Sequence, residues 1–315
     1  MESLIFDSFK QKVNYKHLKI NYEKVKDFSD NFNNFYIPDW SEEVFYNKDF
    51  ENTISFIFLI NTINFSYWNY KDKAKWFYIF NGTKYTGSFA LFACLKDSIE
   101  KGYNFLNPKF LKNLKEIDLK NTLEKFEQIP MFNERLDILK DIGKVLVDNN
   151  IKSFFDIFKS CNYSSSNLIN KIVNLFPSFD DSFYYQNYKF NFFKRVQLIP
   201  AMIYGKFQDE KLFNDIDNLT VFADYRVPQT IRKLGLVEYS DKLSQEIEFK
   251  CFLDIGSTEE LEIRLSTIQI CNQIKKIINQ RTYINSLHID YYLWKKGKEI
   301  SKPDYDFHRT RTIFY

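Results

Sequence analysis

The chain has 315 residues, 44% of them hydrophobic and 27% charged, which excludes a disordered protein and allows one or two domains. The 44 basic and 41 acidic residues leave a net charge of +3. A protein that binds nucleic acid usually carries a basic stripe, because neutralising phosphates supplies its affinity. The basic clusters "KDKAK" and "WKKGK" are short, and we interpret both as solvated surface. Aromatic residues reach 19%, which we attribute mainly to compositional drift.

Cysteine and histidine residues are few and scattered, so the sequence predicts no zinc site. Unpaired cysteines are typical of a reducing compartment. The N-terminus "MESLIFDSFKQK" lacks the pattern of a signal peptide, and the longest apolar run, "ISFIFLI", is too short to span a membrane. We therefore expect a soluble, cytoplasmic protein without membrane partners. The residues concerned are Cys94, Cys161, Cys251 and Cys271, with His17, His288 and His308.

Residues 1–48 are irregular and polar-aromatic, and we expect an N-terminal arm or subdomain packed on a body of residues 49–315. In the body, eight glycines and seven prolines leave few turn signals, while apolar residues recur at helical spacing. Four helices are predicted with their end signals. They are "TGSFALFACLKDSIEKG", "MFNERLDILKDIGKVLVDN", "SSSNLINKIVNLFPSF" and "STEELEIRLSTIQICNQIKKIIN".

The last of these helices is apolar on two faces, which predicts a position in the centre of the core. It opens with a candidate capping box between Ser257 and Glu260. The chain shows no strand–helix alternation and no GxGxxG, P-loop or HExxH motif. The predicted fold class is therefore mainly α, as a single helical domain with an irregular N-terminal segment.

The stretch "NTINFSYWNY", residues 61–70, is the first candidate functional segment. The amide of Asn64 can read the edge of a base, and Phe65 and Trp68 offer flat faces for stacking. A helix end with aromatic side chains in the core explains the same pattern, and spacing alone favours that alternative.

The stretch "FFKRVQL", residues 192–198, places two cations among apolar neighbours. On a helix Lys194 and Arg195 point about 100° apart, so we expect one to turn inward and the other to meet solvent. A buried lysine needs an anionic partner such as a carboxylate or a phosphate. A surface lysine with its stem along apolar residues is the alternative.

In "FADYRVPQ", residues 222–229, a carboxylate, a phenol and a guanidinium are adjacent. Pro228 suits the first turn of a helix that Gly235 can end. Asp224 then lies just before that helix, where free N–H groups stabilise a negative charge. The position suits a helix cap, and it also suits a carboxylate that faces a developing cation. Tyr225 and Arg226 complete the stretch.

Near the C-terminus, "HIDYYLWKKGK" places Asp290 among aromatic residues, and "DFHRTRTIFY" interleaves His308, Arg309 and Arg311 with apolar ones. A chain that ends in "TIFY" indicates a terminus docked on the body. Structural docking alone explains this end as well as a functional role does.

Together these segments resemble the queuosine salvage family, the queuosine 5′-phosphate N-glycosylase/hydrolases. The resemblance covers roughly residues 50–315, and "FADYRVPQ" and "HRTRTIFY" are its most specific motifs. It is carried, in chain order, by "NTINFSYW", "YTGSFALFACL", "IPMFNERLDIL", "LFPSFDDS", "FFKRVQL", "LTVFADYRVPQTIRKLG", "EELEIRLSTI", "DYYLW" and "FHRTRTIFY".

The resemblance implies an all-α fold similar to DNA glycosylases and hydrolysis of the N-glycosidic bond of queuosine 5′-monophosphate, which releases queuine. It implies no metal and no cofactor, and a free nucleotide as substrate rather than a stable nucleic-acid partner; we expect a monomer. Asp224 matches the family's catalytic aspartate, with Lys194 as its partner or as a phosphate ligand. The substrate-binding candidates are Asn64, Phe65, Trp68, Tyr225, Arg226, Asp290, His308 and Arg309.

Two other functions fit parts of the sequence. A nucleic-acid N-glycosylase predicts a basic groove and salt-sensitive binding of DNA. A helical interaction module without enzyme activity predicts that "FADYRVPQ" is only a capped helix start. The resemblance favours the hydrolase over both.

Overall fold

The computed structural model describes residues 6–33, 36–69, 74–299 and 306–315. The described residues are 54% helical when the short 3₁₀ segments are counted, and they contain thirteen α-helices and three small antiparallel sheets, so the prediction of a mainly α fold is confirmed. Most of "KDKAK" and the first five residues of the N-terminal stretch lie outside the described residues. No helix in the described ranges combines the length and the apolar character needed to cross a bilayer.

The helices are numbered in chain order. They are α1 Tyr22–Asp30, α2 Phe50–Thr62, α3 Ser88–Glu100, α4 Pro108–Lys112, α5 Glu116–Leu123, α6 Phe132–Asp148, α7 Phe154–Lys159, α8 Ser165–Leu175, α9 Lys194–Phe207, α10 Arg226–Lys233, α11 Asp241–Glu248, α12 Thr258–Ile278 and α13 Ser286–Glu299. Short 3₁₀ segments cover Phe6–Lys10, Pro177–Phe179, Glu210–Leu212 and Ile216–Asn218.

Each sheet consists of two antiparallel strands. β2 and β3 form one hairpin, β4 and β5 form another, and β1 pairs with the distant β6 so that Leu18 lies opposite Tyr239. The strands are β1 Leu18–Ile20, β2 Phe77–Phe80, β3 Thr83–Thr86, β4 Ser182–Tyr185, β5 Tyr188–Asn191 and β6 Val237–Tyr239.

The chain divides into two compact units. Unit 1 contains the described residues of Met1–Pro38, Asp181–Gln197 and Asp215–Thr312. Unit 2 contains those of Asp39–Asp180, Leu198–Asn214 and Ile313–Tyr315. Helix α9 begins in unit 1, and its residues from Leu198 onward belong to unit 2.

The four helices predicted from periodicity are α3, α6, α8 and α12. Their end signals act as expected: Ser164 accepts a hydrogen bond from the backbone N–H of Asn167 at 3.1 Å, and Gly102 follows α3 with a positive φ of 99°. Apolar spacing and caps therefore sufficed to locate these helices.

Helix α12 is the central helix of unit 1, with α1, α10 and α13 packed against it. Both of its apolar faces are buried, as predicted, and only Ile277 of the residues expected there is partly exposed. The capping box is half formed: Ser257 accepts from the N–H of Glu260 at 3.3 Å, while the Glu260 carboxylate accepts from Gly256 instead. The Glu260 side chain is thereby directed into the protein interior.

In unit 2, α2 is buried almost throughout, and α4 lies against α6. The contact between α4 and α6 requires glycine at position 143. A Cβ atom there would lie 2.2 Å from the backbone nitrogen of Lys112, closer than any real contact. The two helices can pack this closely only because residue 143 has no side chain.

Candidate functional site

Asp224 lies in the turn before α10, in unit 1. Its Oδ1 atom accepts hydrogen bonds from the backbone N–H groups of Arg226 at 2.7 Å and Val227 at 3.3 Å. The predicted capping role is therefore present in the geometry, and Gly235 follows the helix with a φ of 70° as expected. These bonds and the helix N-terminus stabilise a negative charge on Asp224 and fix its orientation.

Lys194 is the first residue of α9, and its side chain is 9% exposed. Its Nζ atom lies 4.0 Å from Oδ2 of Asp224, so the oxygen that does not cap α10 faces the lysine. Arg195 is also buried, at 2% exposure, and the prediction that one of the two cations meets solvent is wrong. Both side chains are buried by tertiary packing, which helical spacing alone does not reveal.

Asp290 lies on α13 and is buried, and its Oδ1 atom accepts a hydrogen bond from the N–H of Phe222 at 2.8 Å. Burial raises the pKa of the Asp290 carboxyl to about 8, and the nearby charge of Asp224 adds to the increase. The Phe222 N–H and Lys194 oppose that increase. Asp290 is therefore protonated at neutral pH and can donate a hydrogen bond as well as accept one.

We call Asp224, Lys194 and Asp290 the carboxylate–lysine cluster. One carboxylate is held by a helix N-terminus and an ammonium group, which favour its charge, and the other is kept neutral by burial. A carboxylate fixed by hydrogen bonds near a buried carboxyl group of raised pKa is an arrangement suited to acid–base chemistry.

Tyr225 and Arg226 lie at the beginning of α10. The ring of Tyr225 is 5.0 Å from that of Phe307, and the Arg226 guanidinium lies about equally near both rings. Arg226 also donates to Gln229 at 2.8 Å and to the carbonyl oxygen of Gly297 at 3.2 Å. These contacts brace α10 against α13 and the C-terminal segment.

His308 and Arg309 are both buried in the C-terminal segment. The pKa of His308 is lowered to about 3, chiefly by burial and also by the charge of Arg264, so its imidazole is neutral. Arg309 donates to Asp306 at 3.3 Å, and its carbonyl oxygen accepts from the N–H of Leu253 at 2.8 Å. The segment is docked, as the sequence indicated.

Asn64, Phe65 and Trp68 lie in unit 2, just after α2. The Asn64 amide donates to Oδ1 of Asn61 at 3.1 Å and accepts from the hydroxyl of Tyr67 at 2.8 Å. Phe65 is buried, while Trp68 is partly exposed with the Lys75 ammonium 5.4 Å from its ring centre. These are the contacts of a helix end in a core, and a role in base binding stays a prediction.

Several buried charges of unit 1 were not predicted from the sequence, among them Arg264 on α12 and Asp181 before β4. Arg264 stands between Ile263 and Leu265 in a helix that is apolar on both faces, and a charge at this position was the available signal. Asp181 had no comparable signal, because its partner Arg264 is 83 residues away in the chain.

Comparison with known proteins shows which family the chain is similar to. A sequence model described as queuosine salvage protein matches residues 44–315. A Sphaerobacter thermophilus protein named queuosine 5′-phosphate N-glycosylase/hydrolase is 31% identical over 281 residues, which cover 88% of this chain and 86% of that protein. Proteins of the same name from Nematostella vectensis and Mus musculus are 30% and 29% identical, covering 88% and 84% of this chain and 86% and 82% of their own.

The matched region contains all three residues of the carboxylate–lysine cluster and every other candidate site residue. A match over residues 44–315 covers most of the 315-residue chain, and the relatives are similar over most of their own lengths. The chain belongs to the queuosine salvage protein family.

Proposed function

We propose that this protein hydrolyses the N-glycosidic bond of queuosine 5′-monophosphate and releases queuine for salvage into tRNA modification. The observation that carries the proposal is the buried pair of Lys194 Nζ and Asp224 Oδ2 at 4.0 Å, at the starts of two helices. The pair lies in a chain whose relatives bear the name of this activity.

Breaking the bond between C1′ and the base develops positive charge on the ribose ring. A carboxylate fixed beside that carbon stabilises the charge, since its orientation is set before the reaction begins. In our proposal Asp224 is this carboxylate, acting through Oδ2 as nucleophile or as base for water. The water oxygen ends on C1′, and the departing base takes up a proton. Lys194 orients Asp224 or binds the substrate phosphate.

The remaining candidates divide between the base and the phosphate. Asp290 accepts hydrogen bonds from the N–H groups of the base or from its cationic aminomethyl substituent, whose charge would favour the ionised carboxylate against the raised pKa. Asn64, Phe65 and Trp68 form the base pocket through edge hydrogen bonds and stacking. Tyr225, Arg226, His308 and Arg309 bind the phosphate or brace the site.

One experiment tests the proposal directly: incubation of the protein with queuosine 5′-monophosphate and detection of free queuine by mass spectrometry. We expect stoichiometric queuine and ribose 5-phosphate from the wild-type protein. Release of bases from duplex DNA or tRNA, with binding that weakens steeply between two salt concentrations, would instead support a nucleic-acid glycosylase. A protein that releases nothing from any of these substrates would support an interaction module.

The proposal also covers the fold similarity, the location, the oligomeric state and the cofactor requirement predicted from the sequence. We infer a fold similar to DNA glycosylases, and a cytoplasmic monomer that needs no cofactor and holds no nucleic acid stably. The near balance of 44 basic and 41 acidic residues supports a mononucleotide substrate, and the four free cysteines support a reducing compartment.

A further inference from the structure

Unit 1 contains a buried cluster of charged side chains next to the segments that carry Asp224 and Lys194. The guanidinium of Arg264 donates to both carboxylate oxygens of Asp181, at 2.9 and 2.6 Å, and to Oε1 of Glu260 at 3.4 Å. All three side chains are buried, and the guanidinium lies 3.9 Å from the centre of the Phe192 ring. A fully buried charged group needs several fixed partners, because the loss of its hydration would otherwise make burial strongly unfavourable.

The same cluster contacts the backbone at two places beside the site. Nε of Arg264 donates to the carbonyl oxygen of Ala223 at 3.0 Å, and Ala223 directly precedes Asp224. Oδ2 of Asp181 accepts from the backbone N–H of Lys194 at 3.3 Å. One guanidinium therefore connects the peptide that carries Asp224 with the helix start that carries Lys194.

Neighbouring bonds fix the rest of this segment. Gln197 accepts from the N–H of Thr220 at 2.9 Å, and Asp290 accepts from that of Phe222 at 2.8 Å. Residues 220–223 are thus held by side chains from α9, α12 and α13. Of these anchors, Arg264 is joined through Asp181 to the first residue of α9 as well as to the peptide before Asp224.

We propose that Arg264 is a positioning residue, which sets the distance between the Asp224 carboxylate and the Lys194 ammonium; this inference rests on the proposed function. A planar guanidinium can bind both oxygens of Asp181 and the Ala223 carbonyl at the same time. A lysine has the charge but lacks the fork, so Arg264→Lys releases at least one of the two backbone segments. The catalytic groups themselves remain present in that variant.

The test compares Arg264→Lys with Glu262→Gln. Glu262 lies two residues away on α12, is fully buried and accepts from the N–H groups of Lys16 and His17, both at 2.8 Å, and from the hydroxyl of Tyr185 at 2.6 Å. It anchors the N-terminal segment and strand β4, and none of these bonds reaches the segments that carry Asp224 and Lys194. Both variants break buried bonds of one helix, so they serve as a matched pair for stability.

We expect Arg264→Lys to lower kcat for queuosine 5′-monophosphate by about 100-fold with KM within about threefold, since a displacement near 1 Å costs about that much turnover. Glu262→Gln is expected to lower Tm comparably and to keep the wild-type kcat. A purely structural role for Arg264 predicts instead that the two variants lose activity in proportion to their loss of Tm.

A kcat of Arg264→Lys within about threefold of wild type would overturn the inference. So would an equal loss of kcat in Glu262→Gln at equal Tm. If Arg264→Lys does not fold, Asp181→Asn replaces it: this change keeps the shape and is expected to show the same loss of kcat at unchanged KM, and normal turnover would overturn the inference. Wild-type protein that releases no queuine contradicts the proposed function instead, so the two failures are distinguishable.

Discussion

Each unit of the protein contains a fully buried arginine that anchors the backbone of a candidate site segment. In unit 2, Arg135 on α6 donates to the carbonyl oxygens of Ile63, Phe65, Ser66 and Pro130. In unit 1, Arg264 on α12 donates to the carboxylates of Asp181 and Glu260 and to one carbonyl oxygen. Arg135 thus fixes the peptides around Asn64, and Arg264 fixes the peptide before Asp224.

The two arginines differ in what they hold in place. Three of the four carbonyl groups bound by Arg135 belong to the short loop after α2, and its guanidinium also lies 4.3 Å from the ring centre of Phe65. Of the two carboxylates bound by Arg264, that of Asp181 lies 83 residues away in the chain. We infer that Arg135 shapes a pocket for the base, while Arg264 aligns charged groups for bond breaking. Variants of the first region should change KM, and variants of the second should change kcat.

The largest effect is expected from Asp224→Asn. The change removes the negative charge, but Oδ1 of asparagine still accepts from the N–H of Arg226, so the helix cap is preserved. We expect kcat to fall about 1000-fold, with Tm within about 2 °C of wild type. Steady-state release of queuine and thermal unfolding measure the two quantities.

Asp49→Asn is the matched control for this variant. Asp49 caps α2 by accepting from the N–H of Asn52 at 2.8 Å, and it is exposed in unit 2. The same chemical change at this helix start should leave kcat unaltered. Near-normal turnover by Asp224→Asn would show that Asp224 is not the catalytic carboxylate. Bond breaking could then no longer be assigned to unit 1.

The next effect in size is expected from Lys194→Met, which keeps the length of the side chain and removes the charge. Loss of the partner of Asp224 should lower kcat about 100-fold at saturating substrate. If KM rises instead, and only for the 5′-phosphate and not for the nucleoside, Lys194 is a phosphate ligand. Lys112→Met, at an exposed pair with Asp148, should change neither constant.

A smaller kinetic effect is expected from Arg135→Lys in unit 2. A lysine cannot reach the carbonyl oxygens of Ile63, Phe65 and Ser66 together, so one buried charge loses partners at a cost of about 3 kcal/mol in the free energy of unfolding. The loosened loop should raise KM about tenfold and leave kcat within about threefold. Urea unfolding and initial rates measure these changes. A fall in kcat without a change in KM would refute the distinction between the two arginines.

Much of the fold could be predicted from the sequence, because its signals are local. The helices α3, α8 and α12 follow from apolar residues at helical spacing and from nearby caps such as Ser164 and Ser257. The pairing of β1 with β6 had no local signal, since over 200 residues separate Leu18 from Tyr239. The half-formed capping box did have a local signal that was overlooked, because Arg264 lies four residues after Glu260 on the same helix and attracts its carboxylate.

The residues of the candidate site could be predicted from their types, but the residues that hold them in place could not. The capping position of Asp224 followed from Pro228 and Gly235, and an anionic partner for a buried Lys194 followed from desolvation. The burial of Arg195 and the role of Arg264 depend on which segments meet in space. Hydrophobic periodicity locates a buried face, but it does not identify the distant group that neutralises a charge on that face.

The last prediction concerns stability rather than turnover, and it depends on pH and on the raised pKa of the Asp290 carboxyl. Below about pH 4 the carboxyl is protonated in the folded and the unfolded chain alike. As pH rises, the unfolded chain releases its proton first, whereas the folded chain retains it up to a pKa of about 8. The stabilisation from a neutral Asp290 is therefore complete below pH 4 and is lost progressively until pH passes about 8.

Asp290→Asn keeps a neutral side chain whose oxygen still accepts from the N–H of Phe222, and it removes this titration. The Tm of the variant minus the Tm of the wild type should therefore increase by about 5 °C between pH 4 and pH 8 and then stay constant. His308, whose pKa is lowered to about 3, titrates in both proteins, so its contribution cancels in the difference. A difference independent of pH would mean that Asp290 is ionised in the folded protein. It would then act as an acceptor for the base, and unit 1 would align two negative charges rather than one.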